Sequence, residues 1–381
     1  MTSPSEDEAG PTPETFSAPP PTYRKAEVPV LTVAASAEDA LAAIILSGVS
    51  HLRGNEACVL AGTDEEGIHQ MRVAIRRLRS SLSLFRDFLP PEQVNYLGSE
   101  LRWLIGELGP ARDWDVFLAE TLSKVVAQVR SEAGLESLQA RARKKQEDAY
   151  RRAHEALRSQ RYLGMVMLLG AWAEGRRWHD PAALAPAIPG GLHSPAETVA
   201  HALLDTLYRR VRQVGRRFTS LDSAGRHKLR IQIKKMRYAI EFFGSLYPKE
   251  RLSVFLTDAK LLQDALGVSN DIDVARRLVR EIIKGQRGKE RAALSFAAGL
   301  VIGWHGHVAD DREQTLRRMW RRFIRRKPFW VEPSEMRAAV EASSSPVAIA
   351  TPLRPGTHGG RGVAGGGTRV QRRRRPILVS S

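Results

Sequence analysis

Histidine and three arginines stand at positions 69, 72, 76 and 79. Steps of 3, 4 and 3 residues place all four on one face of a helix. The same face returns with His227, Arg230, Lys234 and Arg237. Its chemistry is that of anion capture. Arginine offers a planar fork that fits paired oxygens, and lysine offers a point charge. Imidazole donates from one ring nitrogen when neutral and from both when charged. A histidine crowded by cations should have a lowered pKa when free and a raised one when anions bind. Like charges at these spacings repel by roughly 0.2–0.5 kcal/mol per pair, yet no glutamate interrupts the stretch from His69 to Arg86. One such helix could simply be a solvated face. Its recurrence argues for a function.

The recurrence is extensive. HQMRVAIRRLRSSLSLF from His69 aligns with HKLRIQIKKMRYAIEFF from His227, a shift of 158 residues. The same shift, without a gap, lays LRWLIGELGPARDWDV (101–116) on AKLLQDALGVSNDIDV (259–274). A duplicated helical unit follows, with two lobes about a pseudo-twofold axis. Arg77 and Lys235 sit at the edge of the basic stripe and are second choices for binding. Arg102 and Lys260 are matched basic positions on the next helix. Arg112 is weaker, because Asn270 is its counterpart. Arg209, Arg212 and Arg216 form a stripe opposite His51, Gly54 and Cys58, which predicts a groove more basic on one side.

The elements that carry these faces read as helices. Met71, Ile75, Leu78, Leu82 and Phe85 form one apolar stripe, repeated by Leu229, Ile233, Met236, Ile240 and Phe243. Pro90-Pro91 ends one helix and opens the next. Strand patterns are scarce, so the expected fold is all-α: two pseudo-symmetric helical bundles with disordered termini. Residues 1–30 are acidic, Pro-rich and expected to be disordered. The body spans 31–330, with lobe one at about 36–180, a Pro/Gly linker at 181–195 and lobe two at about 196–330. Residues 331–381 read as a flexible Gly/Arg-rich tail ending in Arg372–Arg375. The 381 residues carry 59 Lys plus Arg against 42 Asp plus Glu. The body holds +15 of the net +17, because the two tails carry −3 and +5. The partner is therefore an anion: nucleic acid, an acidic membrane surface or a free polyanion. One cysteine excludes a disulfide framework or a multi-cysteine metal site. The longest apolar stretches are too short to span a bilayer. No secretory signal is evident, so a cytoplasmic protein is expected.

The motif H-x-x-R-V/I-x-x-R/K-R/K-x-R followed by L-G-x-x-R/N-D-x-D-V, present twice, resembles the conserved histidine α-helical (CHAD) domain family over roughly residues 36–330. The resemblance implies two pseudo-symmetric helical bundles whose basic helices line a groove for inorganic polyphosphate. It implies a binding or targeting module, of a kind in some cases associated with polyphosphate granules, and not an enzyme. The implied contacts are His69, Arg72, Arg76 and Arg79 with His227, Arg230, Lys234 and Arg237. A nucleic-acid-binding protein is the first alternative, although no docking helix or stacking platform is visible. An accessory subunit of a polyphosphate- or nucleotide-metabolising enzyme is the second.

Other signals are discounted. Asp113/Asp115 and Asp271/Asp273 follow glycine-containing turns and are expected to cap helices and to pair with arginines. His305, His307, Asp310 and Asp311 have metal-ligand types but no supporting pattern. No Gly-rich phosphate loop occurs, nor the E-x-E-x-K strand of the triphosphatase domain sometimes fused to CHAD proteins. No catalytic residue, metal or cofactor is expected. RRMWRRFIRRK (317–327) could be a membrane-surface or nucleic-acid helix, or a final helix packing Trp320 and Phe323. The stretches with Trp172 and Trp304 read as core.

Overall fold

A computed structural model describes residues 20–331 apart from 63, 130–131, 180–189 and 311–312; of 268–270 and 306–310 it describes the backbone alone. The acidic segment 1–19, most of the expected linker, and residues 332–381 with the Arg372–Arg375 cluster lie outside the described residues. No strand occurs among the described residues beyond one bridge between Ser36 and Pro195. The fold is all-α, and no described helix is long and apolar enough to cross a membrane.

Helices α1 (Ala37–Arg53), α2 (Glu56–Ala61), α3 (Glu65–Leu84) and α4 (Pro91–Val116) open the chain. A π-helical stretch, Phe117–Leu122, carries α4 into α5 (Ser123–Val126), and α6 (Ala133–Leu157) and α7 (Gln160–Glu174) follow. The second half holds α8 (Ala196–Val214), α9 (Ser223–Phe243), α10 (Lys249–Ala265), α11 (Gly267–Ile283), α12 (Gly288–Asp310) and α13 (Glu313–Arg325). α9 starts 158 residues after α3, and α10 starts 158 after α4.

Local chemistry sets the helix ends. Ser36 and Asp39 form a capping box on α1, Asp64 caps α3, and Asp222 caps α9. Both predicted apolar stripes are buried, from Met71 to Phe85 on α3 and from Leu229 to Phe243 on α9. α3 and α9 meet at a seam where the rings of Phe85 and Phe243 stand 6.1 Å apart.

The seam also holds a buried charge cluster. Arg77 donates from Nη1 to Glu241 Oε2 at 2.6 Å, and Arg237 donates from Nη1 to Oε1 at 2.6 Å. The Arg77 guanidinium lies 5.1 Å from the centroid of the Phe242 ring. Arg77 is thus a structural residue joining the halves. Its place at the edge of the stripe turns it into the seam, where an acid from the other half neutralises it.

Four further expectations are corrected. Residues 20–30 are ordered, because the Arg24 carbonyl accepts from Asn55 Nδ2 at 3.0 Å and bonds His51 Nε2 at 3.1 Å, while Ser245 Oγ donates to the Pro29 carbonyl at 3.4 Å. Residues 190–195 are docked on α1, with Leu192 and Ser194 buried. α4 runs straight through Gly109-Pro110, since the buried line Leu101, Leu104, Leu108, Ala111 and Trp114 continues across the break in hydrogen bonding. Asp113 and Asp115 therefore end a helix instead of opening one, and Asp271 and Asp273 lie beyond the first turn of α11. Trp172 is core, but Trp304 is 43% exposed. The stretch 317–327 packs as a final helix: Trp320 and Phe323 are buried, and Arg322 and Arg326 hold Asp258.

Replacing Glu241 by leucine leaves Arg77 buried without its counter-charge. Breaking such a pair from one side should cost about 3 kcal/mol, read as a lowered urea midpoint by far-ultraviolet circular dichroism. An unchanged midpoint would show that the cluster is not needed to join the halves.

Candidate functional site: a polybasic cavity between the halves

A cavity of about 550 Å³ opens beside the seam. His69, Arg72 and Arg76 reach it from α3, and Arg112 from α4. Arg230, Lys234 and Arg237 reach it from α9, and Lys260 from α10. Asp113, Glu120, Asp264 and Asp271 also line it, as do Tyr238 and Gln263.

Matched devices set the two central arginines. Arg72 Nη1 donates to the Ile105 carbonyl at 3.4 Å, and Arg230 Nε donates to the Gln263 carbonyl at 3.4 Å. A Cβ on Gly109 would stand 2.9 Å from Arg72 Nη1, and one on Gly267 would stand 2.9 Å from Arg230 Nη2. Each Leu-Gly motif therefore supplies the bare backbone over which its arginine lies. Asp113 steadies Arg72 at 3.9 Å and takes Arg277 from the other half at 2.6 Å. Arg72 Nε is buried with no hydrogen-bond partner. Arg76 Nε reaches Tyr238 Oη at 3.4 Å, across the seam. Arg237 Nε donates to Gln263 Oε1 at 3.2 Å. Among the described residues, Arg76 and Lys234 form no ion pair.

Crowding and burial show in the titrations. His69 is pushed down to about 4 by burial, then by Arg112, against the pull of Glu66. Lys234 is pushed down to about 8, by burial first and then by Arg230, Arg76 and Arg237. Burial takes Arg72 to about 10, with Asp113 opposing. These shifts mark groups withdrawn from water first and crowded by like charge second.

Other expected residues lie elsewhere. His227 is exposed, because the first turn of α9 stands in solvent, whereas that of α3 is packed under Cys58 and Val59 of α2. Arg79 lies beyond the cavity, where burial and neighbouring Arg102 lower its pKa. Arg102 is on the exposed side of α4, whose other side is core. Arg209 and Arg212 are on the outer face of α8, and Arg216 is exposed in the turn after it; Arg209 bonds Thr206, and Arg212 covers the Tyr208 ring. They do not enrich the cavity, so its basicity is not skewed by that stripe. Lys235 faces a different notch. Arg112 does line the cavity; the side chain of its counterpart Asn270 lies outside the described residues.

Asp115 is fully buried, accepts from Gln146 Nε2 at 2.8 Å and Tyr150 Oη at 3.2 Å, and is pushed up to about 6 by burial. It ties α4 to α6. His305 bonds the Thr121 carbonyl at 3.0 Å, while the side chains of His307, Asp310 and Asp311 lie outside the described residues. Tyr238, Gln263 and Glu241 were missed from the sequence. They show no charge pattern, and only tertiary packing brings Tyr238 and Gln263 to the cavity and Glu241 to the seam beside it.

Fold and cavity define an all-α protein whose two helical halves flank a cationic cleft. The chain belongs to the CHAD domain family, whose model matches residues 43–280. That family is associated with polyphosphate binding. The crystal structure of the CHAD domain from the plant Ricinus communis superposes with a TM-score of 0.69 at 32% identity, covering 81% of this chain and 98% of that one. PptA from Streptomyces chartreusis shares the fold at a TM-score of 0.54 and 16% identity, covering 75% of this chain and all of that one. Two uncharacterized proteins of Mycobacterium tuberculosis, one from each of two strains, are 29% identical over 262 residues, 65% of this chain. The chain spans about half the length of these relatives, 46%.

The Lys234 shift has a sign. Its folded pKa, about 8, lies below the ordinary 10.5. Between those values the unfolded chain binds more protons, so this group makes stability rise with pH across that window. Lys234→Met should be more stable than wild type at pH 7, with the difference shrinking from pH 8 towards 10.5. Urea midpoints over that range check this; a constant difference would show that Lys234 titrates normally.

Proposed function

We propose that this chain binds inorganic polyphosphate without transforming it, in the cavity between its halves. The observation that carries the reading is the convergence of Arg72, Arg76, Arg112, Arg230, Lys234 and Arg237 on one space, from helices of both halves. Polyphosphate carries about one charge per internal phosphate and offers no bases to read. A narrow cleft with few aromatic faces suits such a flexible chain better than a rigid duplex or stacked bases. Two of the four lining carboxylates are engaged as arginine partners, Asp113 with Arg72 and Arg277 and Glu120 with Arg112, which favours binding over hydrolysis. We take the matched Arg–carbonyl–Gly sets at an offset of 158 as support for a duplicated unit. Cytoplasmic residence at polyphosphate granules is part of the same proposal, resting on the family.

The test is polyphosphate against duplex DNA over a salt series, with wild type and Arg72→Ala/Arg230→Ala. Wild type should prefer polyphosphate. The variant should bind more weakly and lose close to two contacts from the salt slope, on a scale of roughly 0.7 per contact for single strands. Equal DNA binding and an unchanged variant would refute the reading. Gly109→Ala/Gly267→Ala should weaken binding by displacing both guanidiniums while leaving the thermal midpoint nearly unmoved, since the obstructing atoms are flexible side-chain ends. A lowered midpoint with intact affinity would assign the glycines to packing instead.

A further inference from the structure

A second basic notch lies on the other side of the α3–α9 seam and shares no lining residue with the cavity. Its volume is about 60 Å³. Lys235, Arg86 and Arg210 bring positive charge to it, and Ser80, Ser83 and Thr206 bring hydroxyls. Asp87 is the one carboxylate among its lining residues.

The repeat explains why this charge is uncompensated. Position 235 lies 158 residues after 77, and position 83 lies 158 before 241. The pair 77–241 and the pair 235–83 are therefore the same two positions exchanged between the halves. In one, Arg77 meets Glu241 at 2.6 Å. In the other, Lys235 Nζ meets Ser83 Oγ at 3.5 Å. A hydroxyl stands where the other half has an acid. Burial lowers the Lys235 pKa, and so do Arg210, Arg86 and Arg79. A half-buried ammonium with cationic neighbours and a hydroxyl in place of its acid is an arrangement that an external anion completes.

We propose that this notch binds a single phosphate group, held by Lys235, Arg86 and Arg210 with Ser83 and Thr206 donating hydroxyls. The small volume suits one phosphate, and Asp87 disfavours a long anionic run. The group could be free orthophosphate or the terminus of a phosphate chain, and the chemistry is the same for both. This goes beyond the cavity reading and does not depend on it.

The experiment is calorimetric titration of the full chain with orthophosphate and with tripolyphosphate, in the Arg72→Ala/Arg230→Ala background. Ser83→Glu supplies the acid found in the other half and should weaken residual binding about tenfold or more, the loss of a charge-assisted contact. Lys235→Ala/Arg210→Ala should do the same, which guards against a folding defect peculiar to the glutamate. Weakening for orthophosphate assigns the notch to free phosphate. Weakening for tripolyphosphate alone assigns it to chain termini. If both variants keep the background's affinity and stoichiometry for both ligands, the proposal is overturned. Failure of the cavity reading would appear separately, as wild-type polyphosphate binding by the background variant itself.

Discussion

Mutual repulsion among half-buried cations is the constraint around which the structure is arranged. At an effective dielectric constant of about 20, two unit charges 4 Å apart repel by roughly 4 kcal/mol. Arg72, Arg76, Arg230, Lys234 and Arg237 share one cavity, where burial first and then the neighbouring arginines depress the pKa of Lys234. What holds them is the apolar core into which each helix packs, α3 chiefly against α1 and α4 and α9 chiefly against α8 and α10. The stripes of α3 and α9 are buried on the side away from the cavity, and each fully buried aliphatic or aromatic side chain contributes about 1.5–3 kcal/mol. The core thus offsets a charge arrangement that the helices would not adopt alone.

A second level of control fixes geometry. Arg72 and Arg230 are laid across glycines and tethered to the carbonyl of Ile105 within α4 and to that of Gln263 in the last turn of α10. A guanidinium restrained this way loses less freedom when an anion arrives, so more of each contact appears as affinity. Asp113 adds restraint by joining Arg72 to Arg277. Asp113 therefore lowers net charge slightly while aligning the forks, the arginine pairing expected of it, whereas Asp115 is spent on Gln146 and Tyr150.

The helices and their buried stripes were legible because periodicity reports directly on burial. So were Arg72, Arg76, Arg230, Lys234 and Arg237, whose spacing keeps them on one side. Failures began where position depends on neighbouring elements. Arg77 and Arg76 are adjacent in sequence, yet one enters the seam and the other the cavity, because 100° of helix rotation separates burial against Phe242 from exposure to the cleft. His69 and His227 occupy equal places in their motifs, but only α3 has its first turn covered. Residues 20–30 looked too polar to order. Their order rests on hydrogen bonds to His51 and Asn55, buried polar groups that need such partners. The helical path through Pro110 was equally hidden, since a lost backbone bond is visible in sequence and the packing that outweighs it is not.

The divergence between the halves follows from the same physics. Positions 85 and 243 meet across the seam and positions 75 and 233 are fully buried in the core, so all four tolerate little change in volume. Positions 77 and 235 lie at the seam's margin. There a carboxylate can be exchanged for a hydroxyl at little cost, because the site is partly solvated on one side: Arg77 is buried, while Lys235 is only half covered. The core thereby imposes twofold likeness on the scaffold and leaves charge at the seam's edges free to differ. A cavity built from two similar faces can keep Glu241 as a clamp on one side and leave Lys235 unneutralised on the other, so the surfaces flanking the seam acquire separate chemistry from one repeated pattern.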